Sequence, residues 1–147
     1  LGTAGALSLL PETIQDRIIV TNGDVLSTYD PHQLLAYHCA SNAKATICAT
    51  RLQTQLEFGI ITANDGYLET FEEKPILKHF INAGVYVLDK SALAYIPKLE
   101  PLDMPDLLVN IQEHNDRVAL FPVHEYWIDI GAHSSFEQAS EEWPRQR

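Results

Sequence analysis

Ile18-Ile19-Val20-Thr21-Asn22-Gly23-Asp24 is the stretch whose reading decides the fold. Three β-branched or branched apolar residues in a row, unbroken by a polar one, describe a short strand buried on both faces, as strands are inside a parallel sheet. The run stops at Asn-Gly-Asp. In an open α/β sheet, ligands collect beyond the carboxyl ends of the strands, so an acid one residue past a glycine stop is aimed at that crevice. Gly23 lets the backbone turn sharply or approach a ligand, and Asp24 supplies a hard anionic oxygen. Two readings stay open for the stretch alone: Asp24 is a Mg²⁺ ligand at a nucleotide site, or Asn-Gly-Asp is ordinary turn chemistry.

Upstream, residues 1–10 begin with Gly2, Thr3 and Gly5 and pass into a short helical pattern closed by Pro11. Downstream, Asp30-Pro31-His32-Gln33 marks a helix start, with a capping acid, proline at the first helical position and Gln three residues past the cap. Leu34, Leu35, His38 and Cys39 then fall on one face. Residues 45–50 read as the next buried strand, and the strand–helix–strand order predicts a right-handed crossover and a parallel pair. Residues 58–62 and 67–71 flank Asn64-Asp65-Gly66 as a β-hairpin, with Gly59 marking a bulge or a close approach.

Phe71-Glu72-Glu73-Lys74-Pro75 reads as a solvated strand exit. Residues 81–88 form a further strand with Gly84 early in it, and residues 91–96 a short helix stopped by Pro97. Met104, Leu107, Leu108 and Ile111 recur at helical spacing and are core. Residues 117–123 are a strand, followed by Tyr126-Trp127-Ile128-Asp129-Ile130-Gly131. Ser134 and Glu137 form a capping box for a last helix running to about Trp143, and residues 141–147 read as a fraying end. No repeat or interior linker divides the chain, so residues 1–147 are one domain.

Composition narrows the function. The 147 residues are 46% hydrophobic and 20% charged, the balance of a globular protein that buries roughly two-thirds of its unfolded surface. No apolar run approaches the roughly 18 residues that span a bilayer, which argues against a membrane protein. A formal net charge of −10 disfavours nucleic acid and anionic lipid as partners. It also means that a site for phosphates, with ten Lys and Arg against twenty acids, needs a divalent metal or basic residues from elsewhere. Two cysteines, Cys39 in a helix and Cys48 in a strand, suit a reducing, cytoplasmic compartment as buried free thiols.

Asp129 sits between two isoleucines in a stretch that reads as buried, so it needs a cation, a set of hydrogen bonds or a raised pKa, and a structural salt bridge is the alternative to a functional role. If Asp24 and Asp129 converge at about 4 Å, they repel by roughly 4 kcal/mol at an effective dielectric of 20. A divalent ion reverses that sign, and Mg²⁺ is commonly held by one or two carboxylates plus substrate phosphates. The six histidines show no zinc spacing. The P-loop, the dinucleotide fingerprint and the serine-hydrolase elbow are all absent from the sequence. An aspartyl phosphatase would carry a second acid two residues past the first, where Leu26 stands.

Taken in order, residues 1–7 (Leu-Gly-Thr-Ala-Gly-Ala-Leu), 20–24 (Val-Thr-Asn-Gly-Asp), 58–60 (Phe-Gly-Ile), 71–75 (Phe-Glu-Glu-Lys-Pro), 82–86 (Asn-Ala-Gly-Val-Tyr) and 126–131 (Tyr-Trp-Ile-Asp-Ile-Gly) resemble the sugar-1-phosphate nucleotidyltransferases, nearest their mannose-1-phosphate or heptose-1-phosphate guanylyltransferase branch. The resemblance runs over nearly the whole chain. It implies that Gly2, Thr3 and Gly5 line the nucleotide pocket and that Asp24 and Asp129 hold Mg²⁺. It also implies that Gly59, Glu73, Asn82 and Gly84 bind the sugar and that Lys74 neutralises its phosphate, with Asp24, Lys74 and Asp129 as the catalytic set. The implied partners are a nucleoside triphosphate and a sugar 1-phosphate, and the implied reaction is nucleotidyl transfer with release of pyrophosphate.

The family's Gly-rich signature, with its Arg and Lys for the triphosphate, normally precedes residues 1–7, so the resemblance predicts the C-terminal larger part of a catalytic domain, weakly active or inactive alone. Phe58 replaces a frequent tyrosine. The expected fold is α/β, a mostly parallel Rossmann-like sheet with an antiparallel hairpin and helices on both faces, able to self-associate as a homo-oligomer through an exposed edge. Two other functions remain open: a non-catalytic sugar-nucleotide-binding or assembly domain of the same fold, and a Mg²⁺-dependent phosphohydrolase.

Overall fold

The structure, a computed structural model, describes residues 1–145. Its strands are β1 (Arg17–Thr21), β2 (Val25–Ser27), β3 (Ala45–Gln55), β4 (Ile60–Asn64), β5 (Tyr67–Glu72), β6 (Ile76–Asp89), β7 (Val118–Pro122) and β8 (Trp127–Asp129). Its helices are α1 (Gly2–Gly5), α2 (Pro31–Ser41), α3 (Met104–Glu113) and α4 (His133–Glu142), with 3₁₀ turns at Ala6–Leu9, Lys90–Tyr95 and Trp143–Arg145.

The central sheet has the order β1-β6-β3-β7. Strands β1, β3 and β7 run the same way and β6 runs against them. The sheet is thus mostly parallel in direction, but β1 and β3 are not the neighbours that the strand–helix–strand order predicted, because β6 lies between them. Residues 83–88 of β6 are buried without interruption, and the strand most apolar on both faces takes the position where both edges are also covered. Side chains alternate across it. Ala83, Val85 and Val87 pack with Leu34 of α2, Cys48 and Val123, whereas Tyr86 and Leu88 pack with Met104, Leu107, Leu108 and Ile111 of α3 and Ala4 of α1. Helices therefore cover both faces.

Strand β1 is an edge strand and not one buried on both faces. Ile18 and Val20 pack toward α3, but Ile19 is 36% exposed. On α2, Asp30 caps the helix by accepting the His32 N–H, and Pro31 occupies the first turn, as the sequence predicted. Leu34 and His38 turn inward; Cys39, a further 100° round, is exposed, so one thiol is buried and not two. The last helix is capped by Ala132 without a side-chain bond, and Ser134 lies inside it; the predicted capping box does not form. Within the stretch expected to fray, the last helix runs to Glu142 and a 3₁₀ turn covers Trp143–Arg145, and Trp143 packs against Tyr126 with ring centroids 5.9 Å apart and planes tilted by 51°. Gln146 and Arg147 lie outside the described residues.

Beyond the core, β3 and β6 continue as a two-stranded arm from Arg51–Phe80 to Gln55–Ile76. The β4–β5 hairpin follows it. Its two-residue turn places Asp65 (φ 49°) and Gly66 (φ 83°) in the left-handed region, the conformation whose twist matches an antiparallel pair. Every residue of β5 is exposed, and so are Phe58, Ile61 and Ile76.

Candidate functional site

Both sequence-predicted acids lie at one end of a small antiparallel ribbon, β2 with β8, that stands beside the main sheet. Val25 faces Asp129, and the ladder runs one step further because Ile130 donates its N–H to the Asp24 carbonyl at 2.8 Å. The side chains turn toward Gly131. A Cβ on that glycine would stand 3.0 Å from Asp129 Oδ1 and 3.3 Å from Asp24 Oδ2, so the two carboxylates share one small space. Asp129 Oδ1 also accepts the Gly131 N–H at 2.8 Å, which fixes its rotamer.

Asp129 is exposed, contrary to the reading of its flanking isoleucines, which are themselves only half-buried because the ribbon is two strands wide. Burial is therefore not what demands a counter-charge here; the convergence of two acids is. Among the described residues neither acid has an ion-pair partner. Two hard oxygen donors, open to solvent and without a protein cation, fit Mg²⁺. No three His, Cys, Asp or Glu side chains gather at one point among the described residues, so water or phosphate oxygens would fill the remaining positions.

Two successive carbonyls of β6 anchor the ribbon. Gly84 O accepts the Asn22 N–H at 2.8 Å, and Ala83 O accepts the Trp127 indole N–H at 2.8 Å. They sit in a bulge, where residues 83–85 of β6 face the single residue Cys48 of β3 and Gly84 takes φ 70°. Asn82 lies at the edge of the bulge with both ends of its amide engaged. Its Oδ1 accepts the Gly84 N–H at 2.9 Å and its Nδ2 donates to Tyr86 Oη at 2.6 Å.

The N-terminal glycines are explained by packing. At Gly2 (φ 71°) a Cβ would stand 2.5 Å from the Leu102 carbonyl, and at Gly5 2.7 Å from that of Glu100. Thr3 accepts the Met104 N–H at 2.9 Å and so caps α3 from a distant part of the chain, while its own N–H bonds Asp103 Oδ1 at 2.8 Å. Thr3 lines an open groove with Thr21, Asn22, Gly23, Asp24 and Met104. Gly2 and Gly5 do not line it.

The remaining predicted residues gather elsewhere. A Cβ at Gly59 would meet the Phe71 ring at 2.8 Å and Glu73 Oε2 at 3.0 Å. Lys74, exposed and at φ 45°, borders a groove with Gln55, Leu56, Glu57 and Phe58. Ile76, the first strand residue after Lys74-Pro75, stands six positions before Asn82 on β6. Contacts link Thr3, Asp24, Asn82, Gly84 and Asp129 through β1, β2, β6 and β8, and link Gly59 with Glu73 beside Lys74, where the β4–β5 hairpin rejoins the arm.

Sequence reasoning passed over Asn22, Met104, Trp127 and Gly131 as site residues. Asn22, Trp127 and Gly131 lie inside quoted motifs and Met104 in the helical stripe read as core, but the role of each depends on contacts across more than forty residues of sequence. Behind the ribbon, burial pushes the Cys48 thiol up to about 12, and burial followed by Cys48 raises Tyr29. The fully buried Cys48 is therefore a neutral wall residue.

An α/β sheet with an exposed pair of acids beyond its strand ends, beside an open groove, is an arrangement chemically able to hold a divalent ion against phosphate oxygens. The sequence profile of the nucleotidyl transferase family matches residues 1–146, and the chain belongs to that family. It is 31% identical over 144 residues to mannose-1-phosphate guanyltransferase of Debaryomyces hansenii, covering 92% of this chain and 40% of that protein. To the Pichia angusta protein of the same name it is 32% identical over 144 residues, with 92% and 39% covered. Among solved structures, HddC from Yersinia pseudotuberculosis complexed with GMP-PN has a similar fold, with a TM-score of 0.68, 21% identity, and 97% of this chain and 63% of that one covered. The chain spans about two-fifths of the length of the curated relatives it matches.

Proposed function

We propose that this chain belongs to an enzyme that transfers a nucleoside monophosphate from a nucleoside triphosphate, GTP in preference, to a mannose- or heptose-like sugar 1-phosphate, releasing pyrophosphate. The convergence of Asp24 and Asp129 at Gly131 is the observation that carries the reading. Relatives named mannose-1-phosphate guanyltransferase and a fold neighbour complexed with GMP-PN support the guanine nucleotide and the sugar.

The chemistry asks little covalent work of the protein. An oxygen of the sugar phosphate attacks the α-phosphorus, a new P–O bond forms, and the bond from the α-phosphorus to the bridging oxygen breaks with its electron pair leaving on pyrophosphate. When bound, Mg²⁺ supplies positive charge to the phosphate oxygens. Asp24 and Asp129 hold that ion, and the groove of Thr3, Asn22 and Gly23 leaves room for the nucleotide. Lys74 supplies a compact charge for the sugar phosphate, Glu73 accepts from sugar hydroxyls, and Gly59, Asn82 and Gly84 shape the sugar side. Positioning and charge neutralisation account for catalysis of this kind.

The test is pyrophosphate release by the protein in its natural length, given GTP and mannose 1-phosphate with Mg²⁺. Turnover that needs both substrates supports the reading. Release of inorganic phosphate from either substrate alone points instead to a phosphohydrolase.

A further inference from the structure

The ribbon that carries both acids is two strands wide, and beside the packing of Val25 and Trp127 on the core, one hydrogen bond to β6 holds each of its sides. On the Asp24 side the chain is held by the backbone bond from Asn22 to Gly84. On the Asp129 side the corresponding bond comes from a side chain: the indole N–H of Trp127 reaches Ala83 O at 2.8 Å. Trp127 and Asp129 are two residues apart on β8 and so lie on the same face of the strand. Trp127 packs against the buried cluster that contains Leu34, Cys48, Val85 and Val123, and so does Val25, the cross-strand partner of Asp129.

We propose that Trp127 is a positioning residue for the metal-binding pair: its bond to Ala83 O fixes β8 against β6, as the Asn22 bond fixes the Asp24 side, and so keeps β8 in the pairing with β2 that sets the separation of the Asp24 and Asp129 carboxylates. The proposal rests on the reading of those acids as a divalent-cation site. The bulge in β6 is what makes the bond available. Residues 83–85 are not matched one for one with β3, and Ala83 O is taken by the indole. Two neighbouring carbonyls of one strand thus hold the two arms of the ribbon, one through main chain and one through Trp127. With the second hold removed, β8 can hinge about its pairing with β2, and Asp129 moves relative to the Gly84 side of the site. Two ligands of one ion tolerate little such movement, because Mg²⁺ demands near-octahedral geometry at about 2.0–2.1 Å.

The experiment compares Trp127→Phe, which keeps a ring and loses the donor, with Leu107→Ala, a core truncation on the opposite face of the sheet that leaves the ribbon untouched. Where Trp127→Phe does not fold, a benzothienyl isostere at Trp127 keeps the ring's shape and replaces the N–H by sulfur. Free Mn²⁺ is followed by electron paramagnetic resonance, and amide exchange of Ile130 is followed without metal. The expected result is that Trp127→Phe weakens Mn²⁺ binding at least fivefold and speeds exchange of the Ile130 amide at least tenfold, and that Leu107→Ala changes neither although it lowers the melting temperature.

Wild-type Mn²⁺ affinity in Trp127→Phe overturns the proposal, as does equal weakening by Leu107→Ala. Unchanged Ile130 exchange in Trp127→Phe overturns it whatever the metal data show. Asp24→Asn and Asp129→Asn serve as the separate check on the site itself. Wild-type Mn²⁺ affinity in both overturns the metal reading and with it the role of Trp127, whereas lost binding there beside unchanged binding in Trp127→Phe overturns the positioning role alone.

Discussion

Asn22 and Gly84 are fitted to each other: the Asn22 N–H bonds Gly84 O at 2.8 Å, and the Cβ that Gly84 lacks would stand 2.9 Å from Asn22 Nδ2. Gly84 also takes φ 70°, which L side chains rarely adopt. Gly84→Ala is therefore expected to cost about 1–3 kcal/mol from backbone strain and crowding, a fall in melting temperature of about 3–10 °C. Thermal denaturation followed by circular dichroism checks it. A melting temperature within 1 °C of wild type would show that the bulge yields freely.

Gly131 makes the complementary case. Its φ lies outside the left-handed region, so an added methyl meets side chains and not a backbone restriction. Gly131→Ala should push on Asp129 Oδ1 and Asp24 Oδ2, raising the dissociation constant for Mn²⁺ at least tenfold while the melting temperature moves by less than about 2 °C. Calorimetric titration and a melt on the same sample separate the two effects.

Lys74 holds a left-handed φ of 45° immediately before Pro75, although it is not glycine. A non-glycine residue there stores of the order of 1 kcal/mol, so Lys74→Gly should leave the melting temperature level or higher. Loss of its charge should raise KM for the sugar 1-phosphate at least tenfold with KM for GTP little changed. Steady-state kinetics with each substrate varied in turn reads this directly; an equal rise in both constants would remove Lys74 from the sugar-phosphate side.

The two thiols should differ in reactivity. Cys39 is exposed, while Cys48 is fully buried and its thiol is pushed from near 9 up to about 12. Native protein should take one equivalent of a thiol reagent, and unfolded protein two. A raised thiol pKa means that the folded state keeps a proton the unfolded state gives up. Stability is therefore whole below pH 9 and falls as pH rises, by about 1.4 kcal/mol per unit between roughly 9 and 12. Burial also raises Tyr29 and Tyr126, and the bond to Asp116 raises Tyr95, which adds to the slope above pH 10. Cys48→Ala should flatten the decline between pH 9 and 10, where tyrosines contribute little. Denaturant melts at pH 8, 9 and 10 test it.

Local patterns in the sequence were read reliably where the physics is local. The Asp30 cap, the Asp65-Gly66 turn, the helical stripe from Met104 to Ile111 and the strand over residues 81–88 depend on neighbours a few residues away. Errors arose where an outcome depended on what lies across the fold. Ile18-Ile19-Val20 has the composition of a doubly buried strand, yet no described element covers Ile19, and nothing in the run itself reveals that. The isoleucines beside Asp129 suggested burial because the two-stranded width of the ribbon is not written in them. Strand β6 enters between β1 and β3 because it is the better central strand, a comparison that local pattern cannot make. Convergence of Asp24 with Asp129 was an expectation drawn from the order of the motifs, and it needed coordinates to become geometry.

One divalent ion is expected between the acids of the ribbon, and every role proposed for Asp24, Asp129 and Trp127 depends on it. Crystals of the protein grown with GTP and Mn²⁺, measured at the manganese absorption edge, should give an anomalous peak about 2.2 Å from a carboxylate oxygen of Asp24 and the same distance from one of Asp129. A peak bound to neither acid, or none between them with nucleotide present in the groove, would contradict it.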